Sequence, residues 1–106
     1  MDTEVDALMR ELKEGLARIY GTRLRRVYLY GSYARGEQVD GSDVDVLISL
    51  DRIERYFAEL GRTGELASEV SLRYGVSVSR VFVPERDWEM QDSAFLANVS
   101  EDAVAA

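Results

Sequence analysis

Val5, Leu8, Met9, Leu12, Leu16 and Ile19 recur at steps of three and four residues, the apolar stripe of a helix that lays one face on a core. Thr3 and Asp6 suit its start and Gly21 its stop. The period then changes. Val27, Tyr28, Leu29 and Tyr30 are β-branched, aromatic or aliphatic and run directly into Gly31 and Ser32, which predicts a short strand ending in a tight turn. Ser32 is placed to cap a brief helical turn that ends at Gly36. Asp40 and Gly41 signal another turn, after which Val44, Val46, Leu47, Ile48 and Leu50 predict a second, more buried strand.

From Ile53 to Tyr74 the helical spacing returns. Ile53, Phe57 and Leu60 precede the Gly61 to Gly64 interruption, and Leu66, Val70 and Tyr74 follow it, so the segment is expected to be one broken helix or two. Gly75 ends it. Residues 76–83 read as a third strand, which Pro84 closes because it has no backbone N–H to donate. Trp88, Met90, Phe95, Leu96 and Val99 predict a short helical tail. No repeat or low-complexity linker divides the chain, and the element order predicts a single α/β domain over residues 1–106.

Composition narrows the chemistry. A chain of 106 residues, 46% hydrophobic and 31% charged, matches one globular domain. Its core is modest, so dimerisation or a partner subunit would add stability, and a homo-oligomer is compatible with the sequence. There is no cysteine and no histidine. Disulfides, zinc ribbons, thiol nucleophiles and imidazole bases are excluded, and any metal must be held by oxygen, as magnesium, manganese or calcium is. The net charge of −7 argues against direct nucleic-acid binding, which rests on neutralised phosphates. Met1, Asp2, Thr3 and Glu4 make an acidic start without the pattern of a signal peptide, and no apolar run reaches membrane-spanning length. A cytoplasmic location is expected. Asn98, Val99 and Ser100 match a glycosylation acceptor, read as chance without a secretory route.

The candidate chemistry lies between the first two strands. Asp43 and Asp45 are two apart, so on a strand their side chains leave the same face. At an effective dielectric near 20, like charges about 4 Å apart repel by roughly 4 kcal/mol. Either one carboxylate takes a proton or a cation sits between them, and a hard divalent cation suits carboxylate oxygen. On the other side of the turn, Gly31 lets backbone approach a phosphate, Ser32 offers a hydroxyl, and nearby amides present positive charge. Arg35 is placed either to reach a triphosphate or to hold the turn through a neighbouring carbonyl or carboxylate. Taken singly, an Asp-x-Asp is an ordinary polar entry to a strand and a glycine–serine pair an ordinary turn. Their combination, one closing a strand and the other opening the next, is what points to a site, because antiparallel pairing would bring both to one edge. The alternative phosphate motifs G-x-x-x-x-G-K and G-x-G-x-x-G are absent.

Gly31, Ser32, Tyr33, Ala34, Arg35 and Gly36, followed by Ser42, Asp43, Val44 and Asp45, resemble the G-S-x-A-R-G and S-D-x-D signature of minimal nucleotidyltransferases in the DNA polymerase beta superfamily. The resemblance extends over nearly the whole chain in element order. It implies a nucleotidyltransferase fold, a small mixed three-stranded sheet with helices packed against it. It also implies a nucleoside triphosphate such as ATP as substrate and Mg2+ or Mn2+ as cofactor. Asp43 and Asp45 would be the catalytic and metal-holding residues, and Gly31, Ser32, Arg35 and Ser42 would bind the nucleotide. Many such proteins are paired with a helical HEPN protein in toxin–antitoxin modules, where some transfer adenylyl groups to a tyrosine of the partner.

The chain departs from the family at one point. Active members commonly carry a third carboxylate on the third strand, whereas residues 76–83 contain no acid. Ser77 and Ser79 are the candidates for that place, and a neutral hydroxyl is a poor metal ligand. Glu85 and Asp87, just past the strand, are read as solvated loop charges. Two functions are therefore carried forward. One is a magnesium-dependent enzyme that moves a nucleoside monophosphate, AMP in the first instance, to a hydroxyl acceptor. The other is a weak or silent nucleotide-binding module that acts by docking on a partner, with Trp88, Phe95 and Leu96 as contact surface or as ordinary core.

Overall fold

The computed structural model describes residues 3–106, Thr3 by its backbone alone. Met1, Asp2 and the capping side chain expected of Thr3 lie outside the described residues. Helix α1 spans Thr3–Tyr20 and a single 3-10 turn, Gly21–Arg23, follows it. Strand β1 is Leu24–Tyr30, the short helix α2 is Ser32–Arg35, and strand β2 is Val44–Leu50. Helix α3 is Tyr56–Tyr74 and strand β3 is Val78–Pro84. Helices α4, Glu85–Met90, and α5, Ala94–Asp102, precede a final strand β4 of two residues, Val104–Ala105.

The sheet order is β3-β2-β1-β4, with β1 antiparallel to both neighbours and β2 parallel to β3. Side-chain alternation divides it into two faces. Val27, Leu29, Val44, Val46, Ile48, Leu50 and Phe82 face a core completed by Val5, Leu8, Met9, Leu12 and Leu16 of α1 and Val70 of α3. Leu47 and Val83 face the opposite way, onto Leu96 and Val99 of α5, with Tyr28, Tyr30 and Trp88 packed around them. Each fully buried aliphatic side chain of this kind contributes about 1.5–3 kcal/mol of transfer free energy. The expected α1 stripe is buried except at Ile19, 41% exposed, whose place is taken by Tyr20 at 6%.

The expected α/β class with a mixed sheet is observed, with one correction to the strand count. The sheet has four strands, because residues 104–105 add to the free edge of β1, pairing Tyr28 with Ala105 and Leu29 with Val104. A two-residue strand is too short to show alternation. The expected interruption at Gly61 and Gly64 does not occur: α3 is continuous, and beside either glycine there is open space. A glycine costs a helix only about 1 kcal/mol, and anchors on both sides outweigh that. The tail is two helices rather than one, separated where Gln91 turns into the left-handed region at φ 53°. Among the described residues no helix is long and apolar enough to cross a membrane.

Candidate functional site

Strand register builds the site. Tyr30 is paired with Asp45 across β1 and β2, and Asp45 with Ser79 across β2 and β3. The end of β1 and the beginning of β2 therefore meet, as antiparallel pairing requires. Alternation puts Tyr30, Asp45 and Ser79 in one row on the face that α5 covers. Gly31 follows Tyr30 with φ 76° and ψ −154°, a region essentially closed to other residues. A Cβ on Gly31 would run into the carboxylate of Asp45, so the turn and the second aspartate share one place. Gly31 occupies the cap position of α2, and Ser32, expected as the cap, is instead the first helical residue, half-buried. Gly36, in the left-handed conformation at φ 71°, ends the turn as expected.

Asp43 stands one residue before β2 and is exposed, whereas Asp45 is half-buried. Burial raises the affinity of Asp45 for a proton, the charge of Asp43 raises it further, and Arg35 opposes both. Burial first, and then the charge of Asp45, push the Tyr30 phenol up to about 12. Two oxygen-donor carboxylates that repel each other, one of them partly desolvated, form a donor set that fits magnesium or manganese, with water and substrate oxygen left to fill the remaining positions. The loop that delivers Asp43 is closed by Ser42, whose hydroxyl accepts from the Val39 N–H at 3.0 Å while its own N–H donates to the Val39 carbonyl at 3.0 Å. The Val44 N–H donates to the Ser77 carbonyl at 2.8 Å and fixes the start of β2.

Of the two roles open to Arg35, the structure shows the one in which carboxylates hold it. Its Nε donates to Glu37 at 2.7 Å and its Nη1 to Asp102 at 3.0 Å. The same Asp102 oxygen accepts the Gly31 N–H at 3.1 Å. Sequence reasoning missed Asp102, since nothing in the pattern of a residue 71 positions away links it to this turn.

No third acid joins the pair: among the described residues no group of three His, Cys, Asp or Glu is arranged to hold a metal. Ser79, not Ser77, stands beside Asp45, because Ser77 is exposed and lies before β3 begins. Glu85 is six residues further along, about 20 Å at strand spacing, and pairs with Arg25 at 3.6 Å. The apolar tail residues divide between core and surface. Leu96 is buried, Trp88 packs on Tyr28 with ring centroids 4.8 Å apart, and Phe95 meets Tyr30 edge-on at 6.0 Å while remaining 46% exposed. A cavity of about 480 Å³ opens between the start of α1, residues 38–42 and residues 74–77. It is lined by Ser42 and Tyr33 but by neither Asp43 nor Asp45.

The description "Nucleotidyltransferase domain" fits residues 9–95 of the chain. A Methanocaldococcus jannaschii protein assigned as a protein adenylyltransferase is 36% identical over 78 residues, which is 74% of this chain and 78% of that protein. The protein adenylyltransferase MntA of Thermococcus cleftensis is 31% identical over 84 residues, covering 70% of this chain and 83% of its own length. Among solved structures, a minimal nucleotidyltransferase superposes with a TM-score of 0.67 at 25% identity over 98% of this chain and 95% of that one. A toxin–antitoxin structure with AMP-PNP shares the fold at a TM-score of 0.58 and 20% identity, over 89% of this chain and 68% of that one.

Proposed function

The chain belongs to the nucleotidyltransferase domain family, and from that premise we propose that it moves AMP from ATP to a hydroxyl acceptor, using Mg2+ or Mn2+ held by Asp43 and Asp45. The observation that carries this reading is the placement of Asp45 directly over Gly31. A phosphate laid along the Gly31–Ser32 turn lies within reach of the oxygens that would hold the metal. Bound there, the metal would neutralise charge on the phosphates and orient them. Asp43 and Asp45 supply its protein ligands, while the Gly31 N–H and the Ser32 hydroxyl orient the triphosphate. Arg35, which Glu37 and Asp102 hold in this structure, would turn its guanidinium to the phosphates once Asp102 gives it up, and Ser42 holds the loop that carries Asp43. With the nucleotide fixed in this way, an acceptor hydroxyl attacks the α-phosphorus, the bond to pyrophosphate breaks and the hydroxyl proton is released to solvent, so that positioning and charge neutralisation lower the barrier. The relatives named as protein adenylyltransferases favour a protein hydroxyl as acceptor. A tyrosine of a HEPN-type toxin, with this chain as the antitoxin, is the acceptor we propose.

The serine in register with Asp45 favours a second reading, a silent nucleotide-binding module that acts by docking on its partner. Incubation with labelled ATP and magnesium, alone and with a co-purified partner, separates the two. The enzyme reading expects covalent label on the partner, lost in Asp45→Asn, and a faster reaction in Ser79→Asp, where the new carboxylate faces the metal site. Tight partner binding with no covalent label from the wild type or Ser79→Asp would establish the module instead.

A further inference from the structure

The turn that the proposed function assigns to phosphate already holds an anion from the chain itself. One oxygen of Asp102, Oδ2, accepts both the Gly31 N–H at 3.1 Å and Arg35 Nη1 at 3.0 Å. These are two of the donors that would meet a triphosphate, and the Asp102 side chain is only 21% exposed. Asp102 is the last residue of α5, and only Ala103 separates it from β4. The tail is held by the β1 pairing of Val104 and Ala105, by the Ala106 N–H on the Val27 carbonyl at 3.0 Å, and by Lys13 Nζ on the Ala106 oxygen at 2.6 Å. A ladder of only two residue pairs belongs to the part of a structure that opens at little free-energy cost.

We infer that Asp102 is an intramolecular plug: its carboxylate occupies the phosphate position and must leave before a nucleoside triphosphate can bind. The inference rests on the nucleotide reading of the site and extends it to regulation. Two negatively charged groups cannot share one N–H and one guanidinium arm, because a charge-assisted donor given to one is withdrawn from the other. Apparent nucleotide affinity is then reduced by the fraction of molecules in which Asp102 is seated. Anything that pulls the tail from β1, such as a partner that competes for that edge, loosens the plug and raises nucleotide affinity.

The test is calorimetric titration of the full chain with AMP-PNP and magnesium, comparing wild type with Asp102→Asn and Asp102→Ala. The asparagine keeps shape and removes charge, so it serves if the alanine variant fails to fold. Both variants are expected to bind about tenfold more tightly than wild type, the ratio for a plug seated in about nine molecules of ten. Equal or weaker binding by the variants, with wild-type binding intact, overturns the plug and makes Asp102 a residue that positions the turn. No binding by wild type or either variant overturns the nucleotide reading, and the plug with it.

Discussion

A methyl group at position 31 would meet the carboxylate of Asp45 and would have to adopt a φ of 76°. Gly31→Ala is therefore expected to lower stability by about 1–3 kcal/mol, the usual cost of a residue forced into such a region, and to reduce nucleotide transfer at least in proportion to the displacement of Asp45. Urea unfolding and a transfer assay on the folded fraction check the two effects separately. This much of the site was legible in the sequence. Gly31 and Asp45 each stand in a contiguous motif, and an antiparallel register between consecutive strands brings the motifs together. Asp102 was not legible, because its contact is tertiary: a helix end places it on the Gly31 N–H, and no local spacing encodes that. Arg35 was legible only as two alternatives, since its choice of carboxylate partners depends on where Glu37 and Asp102 come to rest.

Elements with a long apolar period were read correctly, and those decided by packing were not. The stripe of α1 and the buried run of β2 dictate their own structure, since six α1 positions and four alternate β2 positions fill one core. Helix α3 was expected to break at Gly61 and Gly64. It stays whole because Leu60 and Leu66 pack on the core from either side, and Val70 is fully buried. The glycines therefore remain a local cost within an intact helix. As Gly61 has open space where a Cβ would stand, Gly61→Ala is expected to stabilise the protein by about 0.5–1 kcal/mol, measured as a shift in urea midpoint without a change in slope. Strand β4 carries too few residues for any period, and its existence follows from an unpaired β1 edge that the tail reaches.

On the scale of the molecule, the two faces of the sheet have different tasks. One is a closed core under α1 and α3. The other is only partly covered by α4 and α5, which leaves the row of Tyr30, Asp45 and Ser79 near the surface at one end. At the far end of the strands, Glu59 is buried among Tyr20, Arg23 and Arg62, a cluster that ties α3 to α1 and takes no part in the proposed chemistry. The net charge of −7 fits this division: the chain as a whole repels polyanions, and a cation is needed before an anionic nucleotide is drawn to a site that carries two aspartates. The central claim is thus that Asp43 and Asp45 hold the metal that holds the nucleotide. Its most direct test is the affinity for ATP with and without magnesium, measured by calorimetry for wild type and Asp45→Asn. Magnesium is expected to strengthen ATP binding by wild type about tenfold or more and to have little effect on the variant, the difference corresponding to about 1.4 kcal/mol or more. An equal strengthening by magnesium in both proteins would place the metal away from Asp45 and contradict the account.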